Sequence, residues 1–514
     1  NEMLKSEISD FRRLGHRFLD KEVSVGDFKG ASGGMGVYAQ RGGEKFMIRL
    51  RTSSGIIPLK HMKLIAEFMD EYRVKQLHLT TRQAVQLHDL RIDDVCDIME
   101  TAIDNGLYTR GGGGNFPRNV SLSIMSGVEK NEYFDVTDFA LKTGEYLMSQ
   151  ITSYKLPRKL KIAFSSSDKD DANATLNDLG FMAAVENGKP YFRVYLAGGL
   201  GGNPGVSLHY DKLIEPKDIL YHVEAMTQLF IAEGDYKNKA KARTRYIPRR
   251  MGTEAFMECY EKHLAEVKAK GGLDVDIPVV LSETLEKYSH RLPEAPSLLH
   301  QRQDNMYTVV IHPMNGQLPK KSFDEIVKFA EEENISEVRI SMTESMYVRN
   351  LTEEQAVKLL TITSDIRMNS KVQQSVSCIG VPTCQMGIEQ SQALLTDILK
   401  TLKENETPDV YLPSIHISGC QNSCSRHQIN EIGFAGGKRK VGDALEDVFD
   451  LYVGGTFSRE KTELGRKVGT IIMREIPKFI NELALELNKN NMPFRQYLDE
   501  KSEEFENLVK PYLI

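Results

Sequence analysis

Four of the six cysteines in this 514-residue chain stand in two tight pairs in its last third, at spacings typical of metal-binding thiolates. Cys378 and Cys384 form the first pair, and Cys420 and Cys424 form the second. Four thiolates suit either a tetrahedral zinc ion or an iron–sulfur cluster. Zinc modules commonly separate paired ligands by roughly two to four residues, so the wider loop of the first pair favours a cluster.

The composition predicts a soluble, multidomain, cytoplasmic protein. Hydrophobic residues make up 40% of the chain and charged residues 27%, the apolar stretches are short, and the first residues lack the pattern of a secretion signal. Six cysteines are too few for a disulfide scaffold in a chain of this length, which suits a reducing compartment. Cys96 and Cys259 stand alone in helical patterns, and we expect both to be structural.

One segment is strongly basic, although the net charge of −6 argues against non-specific nucleic-acid binding. Between Gly234 and Gly252 a single acid accompanies a run of seven cations: Lys237, Lys239, Lys241, Arg243, Arg245, Arg249 and Arg250. Such runs are most often solvated surfaces. The density of this one also suits an anionic ligand, either a polycarboxylate cofactor or an acidic partner protein.

An internal repeat links two parts of the chain. A constant shift of 261 residues pairs Gly55 with Gly316 and Phe68 with Phe329, and hydrophobic class is kept between such identities. Each copy has the pattern of a strand, a turn, an amphipathic helix, and two strands around a bend. We therefore expect the copies to pair into one pseudo-symmetric domain.

The copies differ at the bend, which reads TTRQ at 80–83 and SMTE at 341–344. Only the first bend has a cationic side chain, Arg82, so a working site could persist in one half and a scaffold in the other. Taken alone, the bend favours an ordinary exposed hairpin arginine. The glycine-rich segments 111–119 and 197–205 between the copies indicate tight turns or close approach of backbone to a ligand.

Longer stretches around these features resemble the sirohaem-dependent nitrite and sulfite reductases. CIGVPTC and ISGCQNSCSRHQINEIGFAGG are similar to that family's cluster and sirohaem signature. KFMIRLR, LHLTTRQAVQLH, NFPRNV and KLPRKLKIAF are similar to its substrate-domain and sirohaem-contacting segments, in the same order. The resemblance extends through most of the chain.

The resemblance implies an α+β fold with three domains. One is a pseudo-two-fold domain built from two ferredoxin-like repeats, and the others are two α/β domains that bind sirohaem and the cluster. The expected boundaries are 1–110 for the N-terminal segment and first repeat, 111–300 for the first sirohaem domain, 301–372 for the second repeat, and 373–514 for the cysteine-bearing domain. The last of these has its own pattern, with an amphipathic helix around Leu394 and a strand at 410–418.

The resemblance also implies the roles of individual residues. All four paired cysteines would hold a 4Fe–4S cluster, and Cys424 would be shared with the iron of sirohaem. Arg82 and Arg158 are expected to bind the substrate oxyanion and to act in catalysis. The residues expected to contact sirohaem are Thr81, Gln83, Arg118, Asn119, Asn422 and Cys424. Part of the basic run would neutralise its carboxylates.

The chain departs from the family at one place. Members commonly carry one or two active-site lysines shortly after the glycine-rich strand, and this chain has Asn203, Pro204 and Gly205 there. Lys212 is the first lysine downstream, with His209 closer. The lysines that deliver protons are therefore not identified by this comparison.

The implied reaction is the six-electron reduction of sulfite to sulfide, with nitrite to ammonia as the near alternative. The sequence Pro382-Thr383-Cys384 favours the sulfite reductase haemoprotein type. Because no dinucleotide or flavin fingerprint is present, the electron donor is expected to be external, either ferredoxin or a flavoprotein subunit. No nucleic-acid or membrane partner is expected. A non-catalytic iron–sulfur carrier or a zinc-stabilised interaction protein is the alternative from a different class.

Overall fold

A computed structural model describes residues 1–283 and 289–514 of the chain. Helices and strands alternate along it, and the strands of the described part form four five-stranded sheets. Within the same residues, no helix is both long and apolar enough to cross a membrane.

The N-terminal part holds two helices and the first repeat. Its elements are α1 (Glu2–Leu19), α2 (Val25–Ser32), β1 (Val37–Ala39), β2 (Phe46–Leu50), β3 (Ile56–Pro58), α3 (Leu59–Glu71), β4 (Gln76–Leu79), β5 (Val85–Leu90) and α4 (Ile92–Asp104). Ile65, Phe68 and Met69 are buried on one face of α3, as their spacing predicted. Tyr72 follows the last helical residue.

The second part is an α/β unit. Its elements are β6 (Ser121–Leu122), α5 (Thr137–Ser149), β7 (Ile162–Ser165), β8 (Leu179–Glu186), β9 (Lys189–Leu196), β10 (Leu208–Ile214), α6 (Ile219–Glu233), α7 (Tyr246–Met251) and α8 (Thr253–Lys270). Asn187 and Gly188 join β8 to β9 with φ of 51° and 73°, which is the Asn-Gly turn that matches the twist of a hairpin.

The second repeat follows with the same order of elements as the first. Its elements are β11 (Leu298–His300), β12 (Tyr307–Ile311), β13 (Gln317–Pro319), α9 (Lys320–Glu332), β14 (Glu337–Ile340), β15 (Met346–Leu351) and α10 (Glu353–Ile362). Thr352 begins α10 with a capping box, in which its hydroxyl accepts from the amide of Gln355 and the Gln355 side chain accepts from the amide of Thr352.

The C-terminal part is a second α/β unit. Its elements are β16 (Val376–Ser377), α11 (Ser391–Glu404), β17 (Ile415–Ser418), β18 (Ile432–Val441), β19 (Ala444–Val453), β20 (Arg466–Ile472), α12 (Ile476–Asn490), α13 (Phe494–Glu500) and α14 (Ser502–Val509). The predicted helix around Leu394 is α11, whereas the strand predicted at 410–418 is shorter and begins only at Ile415.

The two repeats exchange a strand. The first sheet has the order β1-β2-β5-β4-β13, and the second has the order β11-β12-β15-β14-β3, so each repeat gives one strand to the other's sheet. Leu318 of β13 pairs with Leu77, and Ile57 of β3 pairs with Val338. The repeats also share one hydrophobic core. Each buried aliphatic side chain in it contributes roughly 1.5–3 kcal/mol, which opposes separation of the halves.

The two α/β units have the same sheet topology. In β10-β9-β8-β7-β6 and in β16-β17-β18-β19-β20, three parallel strands continue into two antiparallel ones. Each unit has its own hydrophobic core. The predicted α+β architecture is confirmed. The predicted domain boundaries stay predictions.

Candidate active site

The two cysteine pairs lie on loops that follow the neighbouring parallel strands β16 and β17. The Sγ of Cys378 accepts a hydrogen bond from the amide of Gly419 at 3.1 Å. In return, the carbonyl of Gly419 accepts from the amides of Ile388 and Glu389 at 3.1 and 2.9 Å. Because parallel strands point their carboxyl ends to the same edge of a sheet, residues 41 positions apart become neighbours there.

The four thiols influence one another electrostatically. Burial, followed by the charge of Cys424, raises the pKa of Cys378 to about 12, and burial also raises the pKa values of Cys384 and Cys420. Thiols in such surroundings ionise only beside a strong positive charge, such as that of a bound metal. In the described ranges no group of three or more His, Cys, Asp or Glu side chains is arranged to hold a single metal ion.

Cys424 differs from the other three because it is exposed in the described structure, while they are half-buried. Asn422, also exposed, hydrogen-bonds the thiol of Cys420 through its amide and its side chain and so opposes the effect of burial on that pKa. The bend of the first repeat reaches the same loop, since Thr81 Oγ1 donates to the carbonyl of Cys424 at 2.7 Å. Residues from the two ends of the chain thus meet here.

Arg82 is the third residue of this bend, and it is not an ordinary exposed hairpin arginine. Its Nε donates to the carbonyl of Asn119 at 3.0 Å, and its Nη1 and Nη2 donate to Asn177 Oδ1 and the carbonyl of Ile162, both at 2.9 Å. Burial lowers its pKa to about 9. The guanidinium therefore joins the bend to the first α/β unit and has two N–H groups left for another acceptor.

Gln83 and Asn119 hold the bend in place. Gln83 has a left-handed φ of 57°, and its side-chain amide exchanges two hydrogen bonds with the backbone of Leu122, at 2.8 and 2.9 Å. Asn119 Nδ2 donates to the carbonyls of Arg82 and Gln83 at 3.2 and 3.1 Å. Both amides are occupied by protein groups, so their described contacts fix the shape of the site.

Arg118 and Arg158 come from the two loops that the sequence analysis singled out. Arg118 donates to the carbonyls of Gly112 and Gly114 at 2.7 and 3.1 Å, and burial lowers its pKa to about 10. Arg158 is half-buried and donates to Asn115 Oδ1 at 3.3 Å. Glycines at these positions let the loop backbone reach the guanidinium of Arg118 closely.

The basic run divides into an inner and an outer part. Arg243 is buried and pairs with buried Asp178 at 2.9 Å, and Arg245 donates to the carbonyl of Asn203 at 2.6 Å. The three lysines of the run, Lys237, Lys239 and Lys241, are exposed. The solvated-surface interpretation therefore fits the outer lysines, and the ligand interpretation fits the inner arginines.

The glycine-rich strand end carries no lysine into the site. Arg249 donates to the carbonyl of Pro204 at 2.8 Å, so arginines of the run hold the segment from Asn203 to Gly205. Lys212 instead pairs with Glu261 at 2.5 Å on the surface, and His209 is exposed. Neither residue belongs to the group of arginines and lysines that surrounds Arg82 and Arg118, which is called the cation cluster below.

The cation cluster carries more positive charge than the neighbouring carboxylates of the protein neutralise. Within 1–283 and 289–514, the following site cations make no ion pair with a carboxylate: Arg82, Arg118, Arg158, Lys159, Lys161 and Arg426. The Nε atoms of Arg118 and Arg426 and the Nη1 of Arg245 are buried without any hydrogen-bond partner. Buried cations without counter-ions are costly, so a polycarboxylate such as sirohaem fits this place.

Sequence reasoning missed several residues of the cation cluster. Lys159 and Lys161 lie in KLPRKLKIAF and Arg49 lies in KFMIRLR, but none of them was singled out. Arg49 is half-buried, and desolvation lowers its pKa while the nearby Cys424 and Cys384 oppose that lowering. The signal that could have found them is a cation on the polar face of an otherwise apolar strand, which is expensive without a partner.

Comparison with known proteins agrees with this geometry. The family model described as "Nitrite and sulphite reductase 4Fe-4S domain" matches residues 113–268 and 368–484, more than half of the chain. The model described as "Nitrite/Sulfite reductase ferredoxin-like half domain" matches residues 38–104. The second repeat is matched by neither range.

Individual relatives are distant but nearly full-length. The chain is 26% identical over 495 residues to a ferredoxin–nitrite reductase of Leptolyngbya laminosa, covering 92% of this chain and 91% of the relative. It is 22% identical over 489 residues to a sulfite reductase [ferredoxin] 1 of Mycolicibacterium paratuberculosis, covering 90% and 84%. The solved structure of the Mycobacterium tuberculosis NirA protein has the same fold, with a TM-score of 0.81, 21% identity, and coverage of 98% and 97%.

With these matches, the two alternatives of a non-catalytic iron–sulfur carrier and a zinc-stabilised interaction protein no longer stand. The chain belongs to the nitrite and sulfite reductase family and is an oxidoreductase whose cofactors are sirohaem and a 4Fe–4S cluster.

Proposed function

We propose that this enzyme reduces sulfite to sulfide in a six-electron reaction, with electrons from an external carrier protein. The observation that carries the proposal is the excess of positive charge on the half-buried side chains of Arg82, Arg118 and Lys159, where Asp178 is already paired with Arg243. Fully deprotonated sulfite is a dianion and nitrite is a monoanion, so a strongly cationic site favours sulfite. When bound, the coupled cofactors would supply electrons one at a time.

The protein's own part is to bind the anion and neutralise its charge. Arg82 is held by three acceptors and keeps two N–H groups for a substrate oxygen, which makes it a rigid donor. Among the described residues, Arg158 makes one hydrogen bond, with Asn115, and so retains most of its donors. We assign both arginines to the oxyanion. Cys378, Cys384, Cys420 and Cys424 are assigned to the cluster.

The remaining assignments concern sirohaem. Arg118 and Arg245 would pair with its carboxylates, because among the described residues neither makes an ion pair with a carboxylate and each has a buried nitrogen without a hydrogen-bond partner. Thr81 and Asn422, which contact the loop of Cys420 and Cys424, would border it. Asn119 and Gln83 would support this wall through the backbone bonds they already make.

Nitrite reduction to ammonia is the second candidate. It is favoured by the name of the Leptolyngbya laminosa relative, a ferredoxin–nitrite reductase, and by the similar name of a Synechococcus elongatus relative that is 25% identical. The same names favour a ferredoxin as the electron donor. The exposed lysines of the basic run would attract such an acidic carrier. A Geobacillus kaustophilus relative is named as a haemoprotein component of an NADPH sulfite reductase, which favours a flavoprotein donor instead.

Steady-state kinetics with a reduced viologen dye would decide the substrate. We expect sulfite to have the higher kcat/KM, with sulfide as the measured product, and Arg82→Ala to lower that value at least about tenfold while much of the sirohaem remains bound. A higher kcat/KM for nitrite would make the second candidate correct. Full activity in Arg82→Ala would remove Arg82 from the site.

A further inference from the structure

The hydroxyl of Ser391 lies against Cys378, where the two cysteine loops meet. Ser391 is the first residue of α11 and is fully buried. Its Oγ lies 3.3 Å from the Sγ of Cys378 and donates to the carbonyl of the same cysteine at 2.6 Å. The amide of Gly419 donates to that Sγ at 3.1 Å. This sulfur therefore has a backbone donor from one loop and a hydroxyl from a helix beside it.

Glycines in both loops make room for the hydroxyl. A Cβ added to Gly380, in the first loop, would collide with the Oγ of Ser391, and one added to Gly419 would lie 3.3 Å from it. A serine at the start of a helix most often caps the free amides of that helix from the N-cap position. In α11 the N-cap residue is Gln390, and the hydroxyl of Ser391 is directed at Cys378.

Two acceptors compete for the single hydrogen of this hydroxyl, which rotates to suit its surroundings. They are the carbonyl oxygen of Cys378 and the sulfur of Cys378, which can only accept once it has lost its proton to become an iron ligand. An added electron puts more negative charge on a cluster and on its sulfur ligands. Because a hydrogen bond is stronger when its acceptor is charged, the sulfur attracts the hydroxyl more strongly in the reduced state.

We infer that Ser391 raises the reduction potential of the 4Fe–4S cluster through this hydrogen bond to Cys378. Hydrogen bonds to the sulfur atoms are one of the factors that set such potentials. Ser391 acts through a cluster ligand, so it is a positioning residue, and its effect is to ease the uptake of each electron from the external carrier. One electron enters, no covalent bond forms or breaks, and the hydroxyl keeps its proton. The inference rests on the proposed assignment of Cys378 to the cluster and does not depend on which anion is reduced.

A redox titration of the holoenzyme without substrate, followed by the electron paramagnetic resonance signal of the reduced cluster, tests the inference. Ser391→Ala should keep the iron of the wild type but have a lower midpoint potential. At a fixed ambient potential, the ratio of reduced to oxidised cluster should fall about tenfold, which is a shift of about 59 mV for one electron. Thr396→Ala is the matched control and should leave the midpoint unchanged, because the exposed Thr396 hydroxyl on α11 donates to the carbonyl of Gln392.

Ser391→Thr and Ser391→Val form a second pair, with similar volumes but with and without the hydroxyl. The midpoint of the valine variant should lie below that of the threonine variant, which separates the hydrogen bond from a change in packing. Equal midpoints within either pair, wild type with Ser391→Ala or threonine with valine, would overturn the proposal. Loss of the cluster from all three variants would also overturn it, because Ser391 would then be needed for assembly and not for the potential.

Cys378→Ala distinguishes a failure of this inference from a failure of the assignment on which it rests. We expect this variant to lose most of its cluster iron. Wild-type iron content in Cys378→Ala would show that Cys378 is not a ligand, so the proposed assignment would fail and the inference with it. Loss of iron from Cys378→Ala together with equal midpoints within either pair would overturn the role of Ser391 alone.

Discussion

At the scale of single residues, the buried carboxylate of Asp178 organises the cation cluster. It pairs with Arg243 at 2.9 Å, accepts from the hydroxyl of Thr244, and accepts from the amide of Lys161 at 2.8 Å. Asp178 is fully buried, and its charge also opposes the lowering of the Arg82 pKa. One carboxylate therefore positions groups from three segments of the site.

Removing the charge of Asp178 should be strongly destabilising. Asp178→Asn leaves Arg243 buried without its counter-ion, and breaking a buried pair in this way costs about 3–5 kcal/mol. The exposed pair of Glu233 with Arg250 offers a matched control, since Glu233→Gln should cost less than about 1 kcal/mol. Urea unfolding of both variants, followed by circular dichroism, would measure the difference. Equal midpoints in the two variants would contradict this account of Asp178.

The residue types with an obvious chemistry could be predicted from the sequence. Cysteine pairs and arginines in glycine-rich loops stand out because such residues have few structural uses in those settings. Asp178, Lys159 and Lys161 were not predicted because their meaning depends on which face of β7 and β8 meets the site. That choice is made by the packing of Leu160 and Ile162, which a list of residues does not reveal.

At the scale of elements, the 261-residue repeat predicted the helices and strands of both copies closely. The bounds of α3 and α9 differ by that shift, as do those of β5 and β15. The exchange of β3 and β13 was not predicted. A strand pattern specifies which face of a strand is buried, but it does not specify the neighbour that completes the sheet.

A glycine in β18 controls how closely the cysteine loop packs on its own sheet. A Cβ added to Gly433 would lie 1.9 Å from the carbonyl oxygen of His427, in the turn that follows Cys424. Gly433→Ala must therefore shift that turn, and we expect less iron per chain and a lower thermal midpoint. Gly437 lies in the same strand with nothing within 4 Å of an added Cβ, so Gly437→Ala is the control. Equal iron content in the two variants would show that the turn absorbs the shift.

At the scale of the whole molecule, a second duplication relates the two α/β units. A shift of 253 residues pairs Ser165 with Ser418 and Phe181 with Phe434, and a Cβ at Gly180 would meet a backbone carbonyl as one at Gly433 does. Sequence analysis did not find this duplication, because the loops that carry the chemistry have diverged. Only the shared sheet topology makes it plain.

The duplication places a carboxylate where the other unit has its exposed cysteine. Under the same shift, Asp171 corresponds to Cys424, and Ser167 corresponds to Cys420. Asp171 accepts a hydrogen bond from Ser123 and lies near Tyr347 of the second repeat. Burial, followed by the charge of Asp171, raises the pKa of Tyr347. Tyr347 packs with Ile124, Met125, Val128 and Leu299. Tyr347 therefore has an apolar cluster on one side and Asp171 nearby.

The carboxylate of Asp171 should make stability depend on pH. Burial, followed by Glu129, raises the pKa of Asp171 to about 7, against about 3.9 in an unfolded chain. The stability linked to this raised pKa is fully present below about pH 4 and is lost as the pH rises through about 7. Asp171→Asn removes the ionisation, so the variant should exceed the wild type by about 1–3 kcal/mol at pH 8.5 and by much less at pH 4.

Unfolding midpoints of the holoenzyme at those two pH values would test this dependence. The matched control is Asp211→Asn, at a carboxylate that is 99% exposed on β10, and it should shift neither midpoint appreciably. The same gain for Asp171→Asn at both pH values would mean that the asparagine improves packing and that ionisation plays no part. A gain confined to the higher pH would show that the α/β unit without the paired cysteines still carries an electrostatic cost at the position where its counterpart has Cys424.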